Sequence, residues 1–349
     1  MKERARDQGG PGTLTDELAT PDPTEGLPPG ESLAELAAEY QLRPSSARPG
    51  VFAYAGQLWA RRHFIAGFAT ARNVAMYTEA RLGQLWQVLT PLLNAAVYYL
   101  IFGIILDTSR GVPNFLAFLI TGIFIFNFTQ RAFITSSRVI VDSLPLIRAL
   151  PFPRASLPIG YVLIELQQLI FSMIVLTAIV LGTGEPLTWY WLLALPALAL
   201  QTVFNMGMAL FLARLGSGAD DFGQLMPFLV RTWMYTSGVM FSIQTISTLK
   251  RHPTLTFILQ INPAAVYISL VRNAILWSQR QSWPGSKPYN AAECTLYHTD
   301  KTPYLKLSAY CHGTVTMNQL WLWGIGWAVL ALIVGFVFFW QAETRYGRG

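Results

Sequence analysis

The sequence predicts an all-α integral membrane protein with six transmembrane helices, an N-terminal interfacial amphipathic helix and a re-entrant extracytoplasmic hairpin between spans five and six. Three observations predict this class. Hydrophobic residues make up 52% of the 349 residues and charged residues only 13%, whereas a soluble domain is about one quarter charged. The apolar residues form runs of about twenty, the length that crosses a bilayer. Basic residues concentrate in segments beside these runs, so the net charge of +6 indicates topology signals and no nucleic-acid binding.

The N-terminal region is predicted to hold a cytoplasmic tail and then an interfacial helix. Residues 1–50 are polar and rich in Pro and Gly, which is typical of a disordered tail, with a short helical stretch at 31–42. Segment 51–84 interleaves aromatic residues with arginines, and this favours a helix along the cytoplasmic leaflet. A soluble linker with scattered aromatic residues is the alternative. The arginines are Arg61, Arg62, Arg72 and Arg81.

Six apolar runs are predicted to cross the membrane, and the charges around them set their orientation. The loop 131–155 carries four arginines against one acid, whereas the links after the first and third runs carry at most one arginine. Because basic residues concentrate in cytoplasmic loops, both termini and this loop are predicted to be cytoplasmic. The six runs are 85–106, 112–130, 156–181, 187–213, 222–246 and 318–341.

Segment 257–277 is also long and apolar, but it is interrupted by Asn262 and Pro263 and later carries Arg272. Proline breaks the helical hydrogen-bond ladder. A seventh span would place the Arg-bearing C-terminal tail outside the cell, against the charge bias. A re-entrant hairpin over 247–277 is therefore predicted, and a seventh span is the alternative.

The polar segment 278–317 is predicted to be extracytoplasmic, and it contains both cysteines of the chain, Cys294 and Cys311. Two cysteines in one loop outside the cytoplasm favour a disulfide. Free thiols and a zinc site with His298 and His312 are the alternatives. Adjacent Cys311 and His312 suit a tetrahedral site poorly, so no metal is expected.

Two ionisable residues are predicted to lie inside spans. Glu165 and Arg231 are each about nine residues from the cytoplasmic end of their helices, or about 13 Å deep. Ionisable groups at that depth are usually paired, so their equal depth predicts an ion pair. The pair either locks two helices together, or Arg231 helps to receive an anionic headgroup from the cytoplasm.

The motifs of several enzyme classes are absent from the sequence. No G-x-x-x-x-G-K-[ST] loop is present to cradle nucleotide phosphates, and neither H-E-x-x-H nor G-x-S-x-G occurs. The acidic pair Asp220 and Asp221 precedes an apolar run, where acids commonly favour a helix start. The sequence therefore predicts no catalytic residues.

The order of these elements resembles the membrane subunit of ABC-2 type transporters, in the branch that exports lipid-linked polysaccharides such as O-antigen, teichoic acid and mycobacterial galactan. The resemblance implies a homodimer of this chain and two copies of a separate ATPase subunit, which binds ATP and Mg. It implies a bacterial inner-membrane exporter of a polyprenyl-diphosphate-linked polysaccharide, with cell-wall galactan as the expected substrate. The segments that carry the resemblance are RLGQLWQVLTPLLNAAVYYLIFGIIL (81–106), LPFPRASLP (150–158), DFGQLMPFLVRTWMYTSGVMFSI (221–243) and INPAAVYISLVRNAIL (261–276).

The resemblance also implies roles for particular residues. Loop 142–154 would couple to the ATPase through a short helix, although a plain positively charged anchor is the alternative. The residues of the coupling loop are Asp142, Leu146, Arg148, Pro151, Pro153 and Arg154; those where the headgroup enters are Arg61, Arg62, Arg72, Arg81 and Arg231; those of the outer gate are Asn262, Pro263, Tyr267 and Arg272.

Three other functions remain open at this point. An ABC-2 exporter of small drugs or lipids would share the fold and the ATPase partner. An ATP-independent flippase or a membrane glycosyltransferase would lack that partner. A structural membrane scaffold is less compatible with ionisable residues inside spans.

Overall fold

The computed structural model describes residues 50–78, 80–105, 112, 114–149, 152–219, 221–243, 253–276, 278 and 315–343. Throughout these ranges every regular element is a helix, which confirms the predicted all-α class. The predictions for the tail 1–49, for Pro151 and for the cysteines Cys294 and Cys311 lie outside the described residues.

The helices follow the apolar runs of the sequence closely. Helix α3 continues as a π-helix over Tyr99–Ile105, and a 3₁₀ turn over Trp189–Leu193 leads into α7. In chain order the helices are α1 (Val51–Ala60), α2 (Arg62–Thr78), α3 (Trp86–Tyr98), α4 (Phe115–Asp142), α5 (Leu144–Ala149), α6 (Ser156–Gly182), α7 (Ala194–Gly218), α8 (Phe222–Thr236), α9 (Pro253–Ile261), α10 (Pro263–Ile275) and α11 (Met317–Gln341).

Among the described residues, five helices are long and apolar enough to span a membrane, and the bent pair α9–α10 makes a sixth if it is counted as one span. The two helices of that pair meet at an angle of 76°. The five are Trp86–Ile105, Phe115–Asp142, Ser156–Gly182, Trp189–Gly218 and Met317–Gln341.

Two predicted boundaries are wrong. Among the described residues of the run 222–246, the helix ends at Thr236, because the chain turns at Gly238, whose φ is 64°. Its 15 residues extend about 22 Å, less than the hydrocarbon core of about 30 Å. The run 112–130 continues as helix to Asp142, since the stretch after Gln130 contains no Gly or Pro. Arg131 and Arg138 are therefore helical residues and not loop residues.

Helix α4 forms the centre of the bundle, with 78% of its apolar stretch buried, whereas the stretch that begins with α3 is only 11% buried. Helices α7 and α11 approach each other at backbone contact. A Cβ added at Gly207 would collide with the backbone of Ala331, and one at Gly335 would collide with the backbone of Gly207. The two glycines therefore set the spacing of this helix pair.

The contacts between helices fix their directions. Helix α7 contacts α4 first at Gln201 and Ile125 and then at Asn205 and Thr129, and it contacts α11 first at Gly207 and Ala331 and then at Arg214 and Phe338. In both pairs the contacts advance along the two helices in the same sense, so α4, α7 and α11 run parallel. Asn114 lies 2.9 Å from Thr183, so α6 starts at the opposite end of the bundle and runs against α4. We call the two ends of the bundle the Asn114 end and the Tyr54 end.

Helices α1, α2 and α5 lie at the Tyr54 end, where they share a second apolar cluster with the last turns of α11. The predicted helical segment 51–84 is thus described as two helices, and its position at a membrane surface stays a prediction. The buried members of the cluster include Tyr54, Leu58, Ile65, Ile147, Leu157 and Phe339.

Candidate functional site

The short helix α5 occupies the place predicted for the coupling element. It presents one buried residue, Ile147, to the apolar cluster at the Tyr54 end. Asp142 and Arg148 are exposed, and Leu146 is half-buried. An exposed, charged helix with one anchored side chain suits contact with a second protein, and that contact stays a prediction.

The C-terminal part of the same loop is fixed by a junction of three side chains, which we call the Tyr54 junction: Tyr54, Arg154 and Glu343. The Tyr54 hydroxyl donates to Oε2 of Glu343 at 2.8 Å and accepts from the backbone N–H of Ala155 at 3.1 Å. The backbone N–H of Arg154 donates to Oε1 of Glu343 at 3.1 Å, and its guanidinium donates to the Glu343 carbonyl. Pro153 is buried beside them. The junction ties α1, the coupling loop and the residue two positions past α11 into one unit.

The Tyr54 junction contains a titratable group with a perturbed environment. Partial burial raises the pKa of the Glu343 carboxyl above its ordinary value. The hydrogen bonds from Tyr54 and from the Arg154 backbone, together with the Arg154 charge, lower that pKa but do not overcome the burial. The protonation of Glu343 is therefore linked to the stability of the junction.

Sequence reasoning missed Tyr54 and Glu343. Glu343 is the first acid after the last apolar run, and this position could have marked it as a candidate site residue. Nothing in the sequence indicated that its partner lies 289 residues away.

The four arginines of segment 51–84 are all exposed, as contact with a headgroup requires. Arg61 lies in the turn between α1 and α2, Arg72 lies on α2, and Arg81 follows α2. Arg62 donates to the Trp59 carbonyl at 3.1 Å and lies 5.3 Å from the centre of the Trp59 ring. This pairing of arginine and aromatic ring is common at membrane interfaces.

The predicted ion pair between Glu165 and Arg231 is wrong. Oε2 of Glu165 lies 3.8 Å from Nε of Arg131, and Arg131 also donates to Oε1 of Gln168 at 2.6 Å. Arg231 is exposed on α8. Equal depth predicts a pair only if both residues face each other, and the buried face of α8 is instead formed by residues such as Val230.

Further polar contacts join α2 to α6 near this pair. Asn73 donates to Oε1 of Gln167 at 3.1 Å, and Gln167 donates to the Thr70 hydroxyl at 3.0 Å. Asn73 is buried, and Gln167 is half-buried. Together with Arg131 and Glu165, these residues form a polar region between α2 and the bundle.

The hairpin tip contains the first two predicted residues of the outer gate. Oδ1 of Asn262 accepts from Nε1 of Trp233 at 2.8 Å and from the Ala264 N–H at 3.2 Å. Its Nδ2 donates to the Ser237 hydroxyl at 3.4 Å. Asn262 thus caps α10 and Pro263 is the first helical residue, which explains why the chain turns here.

Both arms of the hairpin run from this tip toward the Asn114 end. The carbonyl of Ile261 accepts from Nε1 of Trp327 at 2.8 Å, and Phe257 packs on Trp323, which is one turn nearer the start of α11. The hydroxyl of Tyr267 on α10 donates to the Gly324 carbonyl at 2.8 Å. The two helices therefore form a hairpin, and its re-entrant position in a membrane stays a prediction.

Arg272 fastens the second arm to two neighbouring elements. Its guanidinium donates to the carbonyls of Phe118 at 3.1 Å, Gly238 at 2.8 Å and Val239 at 2.6 Å, and it lies 3.4 Å from the centre of the Phe118 ring. Only 6% of Arg272 is exposed, and in the part of the chain that the structure describes no carboxylate pairs with it. Three backbone carbonyls supply the compensation that a buried charge requires.

A second junction closes the Asn114 end, and sequence reasoning did not identify it. Glu185 accepts from Nδ2 of Asn114 at 3.0 Å, from the Ser278 N–H at 3.2 Å and from the Ser278 hydroxyl. Asn114 has a φ of 48°, and its side chain also caps α4. The contact holds the start of α4, the end of α6 and the end of the hairpin together.

Comparison with known proteins now places the chain in a family. The sequence model of the family described as "ABC-2 type transporter" matches residues 68–276, which run from α2 to the end of α10. The chain belongs to the ABC-2 type transporter family. It is therefore an integral membrane protein and a membrane component of a transporter. In this ABC-2 protein, Tyr54 and Glu343 lie outside the matched range, whereas Arg131, Glu165 and the hairpin lie within it.

Two curated proteins are similar to the ABC-2 protein. Both are described as "O-antigen export system permease protein RfbA" from Klebsiella pneumoniae. One is 26% identical over 194 residues and the other 25% identical over 195 residues. Each alignment covers 55% of the ABC-2 protein and 72% of its relative.

Proposed function

We propose that this ABC-2 protein is the transmembrane subunit of an ATP-driven exporter that moves a polyprenyl-diphosphate-linked polysaccharide across the bacterial inner membrane. The similarity to O-antigen export permeases carries the proposal, since it adds a polysaccharide substrate to membership of a transporter family. Cell-wall galactan is the proposed polysaccharide. ATP hydrolysis, with Mg, takes place on a separate ATPase subunit, two copies of which bind a homodimer of this chain.

The geometry supports a mechanism in three parts. The exposed arginines of α2 and of the turns on either side of it meet the diphosphate electrostatically, because guanidinium groups bind phosphate oxygens strongly. Helix α5 contacts the ATPase and moves with α1 and the end of α11, because the Tyr54 junction joins the three elements. The hairpin around Asn262 acts as the outer gate, and Arg272 holds it closed against α4.

Depletion of the protein in its native cells, followed by mass spectrometry of extracted lipid-linked glycans, tests the proposal. Accumulation of a long polyprenyl-diphosphate glycan is expected, and its sugar composition identifies the polysaccharide. An unchanged glycan pool would contradict polysaccharide export and would favour an ABC-2 exporter of small drugs or lipids. Co-purification of an ATPase with this protein would favour either kind of ABC-2 exporter over an ATP-independent flippase or a glycosyltransferase.

Complementation of the depleted cells tests the role of the arginines. Reversal of charge in the double variant Arg61→Glu/Arg62→Glu should lower export. The matched double variant Arg61→Lys/Arg62→Lys keeps the charge and should restore it. Full export by the reversed variant at normal protein level would exclude these arginines from headgroup binding.

A further inference from the structure

A large apolar cavity lies beneath the hairpin tip, between α8 and α11. Its volume is about 520 Å³, and its walls include Phe133, Trp233, Pro263 and Phe211. Its walls are apolar, and the indole N–H groups of Trp233 and Trp327 in them already donate to Asn262 and to the Ile261 carbonyl. Its volume lies within the range of about 300–1,000 Å³ that is usual for ligand sites. Because the walls offer no hydrogen-bond partner, the fitting occupant is a hydrocarbon chain.

The cavity opens on the outer surface of the bundle, along α11. Leu330 and Val334 line it, yet 52% of Leu330 and 46% of Val334 are exposed. Both residues lie in the middle of a membrane-spanning helix. The mouth is therefore at the depth of the lipid chains, which can enter from the side.

A cation lies at the end of the cavity nearer the Tyr54 end. Arg214 follows Phe211 by three residues, which is nearly one turn of α7, so both residues lie on one side of the helix. Its Nη1 donates to the Phe338 carbonyl and to Oε1 of Gln341 at 3.2 Å, and the guanidinium lies 3.8 Å from the centre of the Phe338 ring. Arg214 is thus fixed where α7 and α11 end.

The charge of Arg214 is not compensated by an acid among the described residues. Its protein acceptors are one backbone carbonyl and one amide oxygen, and both bond to Nη1. A guanidinium has five N–H donors, so Nε and Nη2 can still donate. A phosphate diester matches this arrangement of donors and charge.

We propose that an anionic phospholipid of the surrounding bilayer binds here, with one acyl chain in the cavity and its phosphate at Arg214. The chain and the headgroup each meet a matching surface on the same side of the bundle. The bound chain contacts Pro263 and Trp233, and Trp233 holds Asn262 at the hairpin tip. The lipid therefore braces the hairpin, whatever the transporter exports.

Native mass spectrometry of the delipidated full-length protein in detergent tests this site. The probes are phosphatidylglycerol, which is anionic, and phosphatidylcholine, which is zwitterionic. One phosphatidylglycerol should bind about fivefold more tightly than phosphatidylcholine, because one arginine near an anionic lipid headgroup contributes about 1 kcal/mol. Equal binding of the two lipids would overturn the proposal.

Two variants separate the two parts of the site. Arg214→Gln should abolish the preference for the anionic lipid and leave the cavity intact. Leu330→Trp should fill the mouth and weaken binding of both lipids. The matched controls are Arg138→Gln, an exposed arginine at the same end, and Ile325→Trp, an exposed residue of α11 outside the cavity. Loss of binding in both controls, or retention in both test variants, would contradict the site.

Photocrosslinking locates the occupant and does not depend on these variants. Phosphatidylglycerol with a diazirine in its acyl chain should label peptides of α7 and α11 that line the cavity. Two competitors are then added, a polyprenyl phosphate and an excess of unlabelled phosphatidylglycerol. If only the polyprenyl phosphate reduces the labelling, the cavity belongs to the polyprenyl chain and the proposal is overturned. The reaction of Leu330→Cys with thiol reagents shows whether a second copy covers the mouth. If dimer formation without added lipid blocks this reaction, the mouth belongs to a second copy, and the proposal is also overturned.

Discussion

The hydroxyl of Tyr54 donates a hydrogen bond of 2.8 Å to the carboxylate of Glu343, a residue 289 positions later in the chain. The same hydroxyl accepts from the backbone N–H of Ala155 at 3.1 Å. One phenol group therefore joins the first described helix, the loop predicted to couple to an ATPase, and the residues that follow the last span. Movement of that loop requires movement of all three elements or rupture of these bonds.

Replacement of Tyr54 by Phe should loosen this junction. The change leaves the Ala155 N–H without its acceptor and removes one donor from Glu343, and an unsatisfied buried group costs about 1–3 kcal/mol. The melting temperature of the purified protein should therefore fall, because the free energy of unfolding is smaller by this amount. Tyr161→Phe is the matched control, because the Tyr161 ring packs on Phe68 and no hydrogen bond of its hydroxyl is described. Equal melting of the two variants would show that the Tyr54 hydroxyl contributes nothing.

The stability of the protein should depend on the ionisation of Glu343. Its pKa is raised in the folded state, chiefly by burial. The folded state therefore holds the proton more tightly than the unfolded state, and stability falls as pH rises from the ordinary carboxyl pKa of about 4.3 through the raised value. Glu343→Gln should remove this fall. Melting temperatures of the wild-type protein and of Glu343→Gln, measured from about pH 5 to pH 8, test this expectation. The same dependence of the melting temperature on pH in both proteins would contradict the prediction.

Arg272 should be the main fastening of the hairpin. Arg272→Gln leaves the carbonyls of Phe118, Gly238 and Val239 without their charged donor, and we expect a loss of about 2–4 kcal/mol. Gly122→Ala should act in the same direction, since a Cβ at Gly122 would collide with the guanidinium. The exposed Arg231 provides the control, and Arg231→Gln should change stability by less than about 0.5 kcal/mol. Thermal unfolding of the purified proteins compares them, and similar losses for Arg272→Gln and Arg231→Gln would refute the assignment.

A double-mutant cycle distinguishes the two possible partners of Glu165. Glu165→Gln combined with Arg131→Gln should show a coupling of about 0.5–1 kcal/mol, because Arg131 is partly exposed and its charge is partly screened. The same cycle with Arg231→Gln should show no coupling beyond error. A larger coupling to Arg231 would restore the pair that equal depth predicts and would contradict the observed packing.

Much of the fold could be predicted because hydropathy and helix breaking are local properties. Runs of apolar residues identified the spans, and Asn262 followed by Pro263 identified the break between α9 and α10. The predicted ends of two spans were wrong. The error at the end of α4 has a local reason, and the error at the end of α8 has a tertiary reason. The amphipathic stretch after Gln130 continues α4 because nothing in it breaks a helix, whereas α8 stops early because the chain turns at Gly238 toward Arg272.

The candidate sites could be predicted only in part. Sequence position gives the depth of a residue in a span, but not the direction in which its helix is rotated. Glu165 was therefore correctly placed inside α6 and paired with the wrong arginine. Arg272 was recognised as a residue of the hairpin, but its three carbonyl acceptors come from α4 and from the turn after α8, which only the packed bundle brings together.

The sequence by itself determined that this protein crosses a membrane, which apolar runs form most of its helices and which family it resembles. These features depend on composition and on residues close together in the chain. The tertiary structure decided which residues meet: Tyr54 with Glu343, Arg131 with Glu165, and Arg214 with the end of α11 beside an apolar cavity. Such contacts depend on the rotation and crossing of packed helices, and these are set by the sum of many side-chain contacts throughout the bundle.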